Sequence, residues 1–256
     1  MFTHIWHKEI RGELYTWKSM LWLLISSLLF SVTCYLLLTN KELSLLDQTE
    51  LLWLLGKVII GVGLLVITVD ASSIITTEFE KETAESIFLS PVSLTDFVLG
   101  KLLAALTLWF AIFIVSIPYI IVASAGSHLA IPFIAYIALL GTLGVLGFVL
   151  LVFAISLFFR SSKNTLTTGL IILLGLSIPA VFSSTLKNDV VSQIISHANP
   201  IDNIFSSLDN VLVDYKVSLL ENWQFIVPLV VFCLLALGLL AFAMYQFQKQ
   251  GVIRSE

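Results

Sequence analysis

Six long apolar stretches govern what this chain can fold into. They lie near residues 20–39, 51–76, 102–124, 131–158, 164–183 and 224–247. Each is long enough to cross a bilayer as a helix, which takes about 20 apolar residues. Of the 256 residues, 58% are hydrophobic and only 12% are charged. A soluble domain carries about 25% charged residues, so this chain lacks the charge to clothe a water-facing globule. It is also far too apolar for disorder. The expected fold class is an all-α polytopic membrane protein with six transmembrane helices. The length leaves no room for a separate soluble catalytic domain, so residues 1–256 read as one transmembrane domain.

The first run is expected to be a retained span, not a signal peptide. Lys8, Glu9, Arg11, Glu13 and Lys18 precede it, and no small-residue cleavage pattern follows. Lysine and arginine set the orientation. Nine of the 13 (Lys8, Arg11, Lys18, Lys81, Lys101, Arg160, Lys163, Lys249 and Arg254) fall on the side of the N-terminus. Lys41, Lys57, Lys187 and Lys216 fall on the other. Both termini are therefore predicted to be cytoplasmic, in a cell membrane. Trp17, Trp22 and Tyr245 sit at predicted inner ends, and Trp53 and Trp223 at outer ends, as interfacial aromatics do.

Three segments between or beside the spans carry the remaining information. In residues 1–19, Phe2, Trp6, Ile10, Leu14 and Trp17 make one helical stripe, with Lys8, Glu9 and Arg11 away from it. That predicts an amphipathic helix lying in the interface. His4 and His7 are at i, i+3, but no third ligand accompanies them, so no metal site is read.

The second segment is the loop at 77–93. Thr77 with Glu80 fits a capping box that would open a short helix. Glu78, Glu80, Glu82 and Glu85 place negative charge near its N-terminus, which the helix dipole favours. Ala84, Ile87 and Phe88 form an apolar face, and Pro91 stops the helix. Ser93 with Asp96 fits a second box, opening the third span, with Gly100 and Lys101 at the membrane surface. A short acidic helix fixed between two spans suits the docking of a soluble partner, though a solvated loop has the same pattern.

The third segment, 184–223, is expected on the outer side. Val190, Val191, Ile194 and Ile195, then Ile201, Ile204, Phe205, Leu208 and Leu212, recur at helical spacing on either side of Asn199-Pro200. They predict one or two amphipathic helices on or dipping into the outer leaflet. Asp189, Asp202, Asp209, Asp214 and Glu221 would make their exposed sides acidic. The segment reads as an outer cap or a gate.

Two charges fall inside the second span. Lys57 has a stem long enough to snorkel outward. Asp70 lies a few residues from the inner surface, where a buried aspartate is costly. It reads either as the partner of an inner-surface lysine or arginine, or as a polar lining of a transport path. Gly141, Gly144 and Gly147 lie on one side of the fourth span and suit close helix packing. Pro118, Pro179 and Pro228 fall in or near the ends of spans three, five and six and predict bends. Cys34 and Cys233 lie in apolar runs and read as small buried hydrophobes.

Motifs for internal chemistry are missing. Gly100-Lys101 has no glycine five positions before it and is followed by Leu102, so no phosphate-binding loop is present. No metalloprotease helix, nucleophile elbow or CxxC occurs, and no block of basic residues suggests nucleic acid. No span carries the paired acids or His/Asp relay of a proton-coupled carrier. A membrane machine of this kind needs an external engine.

The loop residues Glu78-Phe79-Glu80-Lys81-Glu82-Thr83-Ala84-Glu85-Ser86-Ile87-Phe88-Leu89-Ser90-Pro91-Val92-Ser93, with Phe97 and Gly100-Lys101 after them, resemble the type-2 ABC (ATP-binding cassette) permease family. Its pattern is E-x-E-x-G-T-x-E, a few apolar residues, [S/T]-P-[V/L]-S, and G-K entering span three. The chain departs at Glu82, where glycine is usual. Trp6, Lys8, Ile10 and Arg11 resemble part of the family's elbow helix, and Asn199-Pro200-Ile201-Asp202 resembles the segment before its last span.

The resemblance implies that residues 78–91 are the coupling helix. Glu78, Glu80, Glu82, Thr83, Glu85, Ile87, Phe88, Ser90 and Pro91 would dock on a separate ATPase subunit. It implies two permeases, identical or closely homologous, and two ATPases, with outer interfacial or re-entrant helices before the last span. ATP and Mg would bind the partner, so this chain would hold no cofactor and catalyse nothing. The function implied is the transmembrane subunit of an exporter of amphipathic peptide, lipid or drug-like cargo. Two other readings compete. One is a permease that passes mechanical work to an outer partner without exporting a solute. The other is an autonomous carrier or channel.

Overall fold

A chain in hydrocarbon must satisfy its own amides, and a helix does so within one segment. Every apolar run accordingly becomes a helix in the computed structural model, which describes residues 16–39, 48–81, 93–125, 128–181, 198–212 and 222–249. The helices are α1 (Trp17–Thr39), α2 (Gln48–Ile74), α3 (Thr76–Glu80), α4 (Leu94–Ala123), α5 (Ala130–Tyr136), α6 (Thr142–Phe159), α7 (Ser162–Val181), α8 (Pro200–Leu212) and α9 (Trp223–Lys249). A π-helical turn, Ile137–Gly141, joins α5 to α6 without a break. Six of these units are long and apolar enough to cross a membrane: α1, α2 with α3, α4, α5 through α6, α7, and α9. Among the described residues there is no strand. Pro118, Pro179 and Pro228 all lie within helices. The expected elbow residues Trp6, Lys8, Ile10 and Arg11 lie outside the described residues, as do the first outer helix at 190–195 and residues 82–92. Trp17, the last of the apolar stripe, opens α1.

The centre of the bundle is α2 and α6. The first packs against α1, α4, α6, α7 and α8, and the second against α2, α4, α7 and α9. The outer faces of α1, α7 and α9 carry exposed Leu24, Leu28, Ile171, Leu174, Leu234 and Leu235. Such residues are unfavourable in water but neutral against lipid.

With lipid as the solvent, apolar burial contributes little between spans, and close packing decides their arrangement. The tightest packing surrounds Trp109. Its ring is fully buried on α4, and a Cβ at either Gly63 of α2 or Gly141 of the π-turn would overlap it. Its indole N–H donates to Thr142 Oγ1 at 3.0 Å. Gly144 lies against Ile204 and Gly147 against Phe232 in the same way. The span-four glycines thus serve contact with three different elements. At the other edge, Ser27 and Tyr119 share a hydrogen bond of 2.9 Å between α1 and α4.

We call the end that carries Glu78, Arg160 and Lys249 the inner end. At the outer end, α8 takes the inserted one of the two expected positions, on or dipping into the leaflet. Ile201, Ile204, Leu208, Val211 and Leu212 are core residues, but Asp202, Asn203 and Ser207 are buried too. The helix is inserted against α2, α7 and α9, and Asp202 is not on an acidic exposed side. Asp209 is exposed as expected, and Asp189, Asp214 and Glu221 lie outside the described residues. Asn199 anchors the start of this helix inside the bundle. Its Oδ1 accepts from Ile201 N at 3.0 Å, capping the helix, with Pro200 at the first helical position. Its Nδ2 donates to Leu176 O at 2.6 Å, and Asn203 Nδ2 donates to Asn199 O at 2.8 Å. Near the end of α8, Asn210 Nδ2 donates to Asn222 Oδ1 and Asn222 Nδ2 to the Tyr136 hydroxyl, at 2.7 and 3.0 Å. Trp53 Nε1 donates to Phe205 O at 3.1 Å, and Lys57 Nζ lies 3.4 Å from the Trp53 ring centroid. Lys57 therefore reaches toward the outer end, onto an aromatic face.

The Gly63–Trp109 contact has a direct test. Gly63→Ala puts a methyl group where the indole now lies. Overpacking of this kind costs about 1–3 kcal/mol. A lower midpoint of thermal unfolding in detergent is the expected result, and the double variant Gly63→Ala/Trp109→Leu should recover part of the loss.

Candidate functional site

The loop that leaves the second span begins with α3. Only Ile75 interrupts the helix, and its backbone remains in the α region with no side-chain cap. The Thr77–Glu80 capping box is therefore not formed. Because the helix is nearly continuous, no bare N-terminus needs it. Thr76 and Thr77 instead donate their hydroxyls back to Ser72 O and Ser73 O, at 2.6 and 2.7 Å.

Three consecutive side chains then diverge, because successive helical residues are about 100° apart. Glu78 points to α4, where its Oε1 accepts from Lys101 Nζ at 3.1 Å. Lys101 is buried, 5% exposed. Phe79 points to α9, where its ring centroid lies 5.4 Å from that of Phe247. Glu80 points to α7. Its Oε1 accepts from Ser162 N at 2.7 Å and its Oε2 from Ser162 Oγ at 3.1 Å. A carboxylate there meets the positive end of the α7 dipole and caps a helix that begins 82 residues later. Thr76 adds a hydroxyl–hydroxyl hydrogen bond to Ser162 at 2.6 Å. The stub at 78–80 therefore grips spans three, five and six at once.

The other end of the loop is also fixed. Ser93 has an extended backbone, and its Oγ accepts from Asp96 N at 3.1 Å. It caps α4 as the sequence leads one to expect, and its hydroxyl hydrogen bonds to Asp96 Oδ2 at 2.7 Å. Of the residues expected to dock a partner, Glu78 and Glu80 are thus held within the chain. Glu82, Thr83, Glu85, Ile87, Phe88, Ser90 and Pro91 lie outside the described residues, between two anchored ends.

Asp70 is paired. Lys18 Nζ, at the foot of α1, stands 2.7 Å from its Oδ1 and donates to Ser73 Oγ at 2.7 Å. The Asp70 side chain is 1% exposed and the Lys18 side chain 45%. The contact is one of charge, since neither Asp70 oxygen receives an aligned hydrogen bond.

Two inner-end features have no local sequence signal. Arg160 has a left-handed backbone, φ 51°, at the C-terminus of α6. Its guanidinium carbon lies 5.0 Å from the Phe247 ring centroid. Phe247 thus touches both the loop stub and the turn between spans four and five.

Removing one member of a buried ion pair costs about 3–5 kcal/mol, whereas exchanging both for apolar residues is often neutral. The exposure of Lys18 reduces the first figure to roughly 1–3 kcal/mol. Lys18→Met should therefore lower thermal stability in detergent more than the double variant Lys18→Met/Asp70→Leu does. Equal losses in the two variants would show that the pair carries no coupling.

A family model described as ABC-2 family transporter protein matches residues 47–252. A search of curated proteins finds no match. The matched region runs from the foot of α2 to beyond the end of α9 and includes the anchored loop. This multi-pass membrane chain belongs to the ABC-2 transporter family, as a permease subunit.

Proposed function

We propose that this chain is the transmembrane subunit of an ATP-driven exporter, in which the segment 77–93 is the coupling helix. The observation that carries the reading is the three-way grip of Glu78, Phe79 and Glu80 on α4, α9 and α7. A stub bonded to three spans passes a push on the loop directly into the bundle. Glu82, Thr83, Glu85, Ile87, Phe88, Ser90 and Pro91 form the docking surface for a separate ATPase, with Ile87 and Phe88 as its apolar anchor. Glu78 and Glu80 transmit the load.

The other parts follow from the same reading. Two ATPase subunits bind ATP and Mg, and this chain binds neither and hydrolyses nothing. A second permease copy, identical or homologous, completes the path. The elbow at 1–19 lies along the inner leaflet of the cell membrane, with Trp6 and Ile10 toward lipid and Lys8 and Arg11 toward water. Both termini are cytoplasmic, as the distribution of lysine and arginine supports. The cargo class is amphipathic (peptide, lipid or drug-like).

The test is co-expression with a type-2 ABC ATPase from the same genome, purification of the complex and reconstitution into vesicles loaded with an amphipathic fluorescent dye. The wild-type chain should retain the ATPase and move dye only when ATP is present. Truncating a buried aromatic anchor costs about 2 kcal/mol of binding, roughly 30-fold in affinity. Phe88→Ala is expected to weaken retention by that amount while the chain still inserts. Glu85→Ala should leave ATP hydrolysis running but lower dye movement per ATP. Retention of the ATPase without movement of any cargo would transfer the assignment to mechanical transmission. Movement of dye by the chain alone would make it an autonomous carrier.

A further inference from the structure

The turn between α6 and α7 contains an anomaly that the docking reading does not use. Among the described residues, Arg160 is the one non-glycine residue with a positive φ. Its N–H donates to Ser156 O at 2.9 Å, ending α6 in a left-handed cap. Glycine is the usual residue there because it has no Cβ to strain. An arginine held in that conformation points to a use for its side chain.

The side chain lies over Phe247, and the other neighbour of Phe247 is Phe79 of the stub. A guanidinium within about 6 Å of a ring centroid is attracted to its π-face. Two residues further on, Ser162 receives both Glu80 oxygens. Adjacent stub residues thus converge on one short turn, Phe79 by way of Phe247 and Glu80 directly. Only Arg160 and Ser161 separate α6 from α7, so a displacement there is shared by both helices.

We propose that Arg160 is a positioning residue: lying over Phe247, it holds that ring against Phe79, so that the coupling segment moves the inner end of α9. This rests on the coupling-helix reading above. Glu78 and Glu80 hold the stub to α4 and α7, and Phe79 meets α9 through the Phe247 ring. Without the arginine, α9 still packs on α6, but the Phe247 ring is no longer held against Phe79 from its other side.

Arg160→Gly tests this because it removes the side chain while relieving the backbone, so thermal stability should match or exceed that of the wild type. Arg160→Lys keeps a cation over the ring. Phe247→Leu keeps apolar bulk but removes the π-face. Each is made in a Cys34→Ala/Cys233→Ala background, with spin labels on cysteines replacing Leu99 of α4 and Lys249 of α9, both exposed. The complex with the ATPase is placed in lipid nanodiscs. The distance between labels is measured without nucleotide and after trapping with ATP and vanadate.

In the wild type and Arg160→Lys the distance should change on trapping. In Arg160→Gly and Phe247→Leu the ATPase should be retained and trapped as usual, with the change lost. A full change in Arg160→Gly, or none in the wild type, overturns the proposal and leaves the docking reading standing. Failure of the wild type to retain the ATPase overturns both, and the purification step shows it separately.

Discussion

Helices in lipid gain little from hiding apolar surface, so a few close contacts and polar bonds must define the bundle. Here that constraint is met around one indole. Trp109 fills the space between α2 and the π-turn, and it fits because Gly63 and Gly141 leave room for it. Its bond to Thr142 fixes the ring in place. With the centre of the membrane held by shape, the polar contacts gather at the two ends. The outer end is closed by asparagines around α8, and the inner end by carboxylates and aromatics around α3.

The two ends differ in a way that suits conversion of force into movement. At the outer end, amide side chains bond to backbone carbonyls and to each other. At the inner end, the contacts join side chains on separate spans to one five-residue helix. These contacts tie α4, α7 and α9 together without crossing the hydrophobic middle. The Lys18–Asp70 pair ties α1 to α2 nearby.

The spans were legible because the bilayer imposes a length and an apolarity that any crossing helix must meet. The boundaries read from the sequence differ from the helices by a few residues, as with Met20 against Trp17 for the first. The Ser93 cap was legible because its partner, Asp96, is local. The Thr77–Glu80 box was equally plausible by pattern, yet Glu80 caps Ser162 instead. A residue 82 positions away outcompeted one three positions away, and no local motif carries that information. Asp202 departs from its expectation for a related reason: an amphipathic pattern implies a wet side, whereas the bundle around α8 buries Asp202, Asn203 and Ser207 on that side and leaves Asp209 exposed. The left-handed Arg160 and the π-turn likewise arise from tertiary packing. Of the inner-end site, the glutamates were visible as chemistry, and their partners were not.

The wide turn at Ile137–Gly141 has a consequence for evolution by insertion and deletion. It accommodates a residue more than an ordinary helical turn would. Losing that residue would let span four run as a plain α-helix, but everything on its outer side would swing by about 100°. Tyr136 would then leave Asn222, and the outer closure would open while the inner half of the span kept its place. Single-residue length changes here therefore act as rotations of the outer half and not as mere shortening.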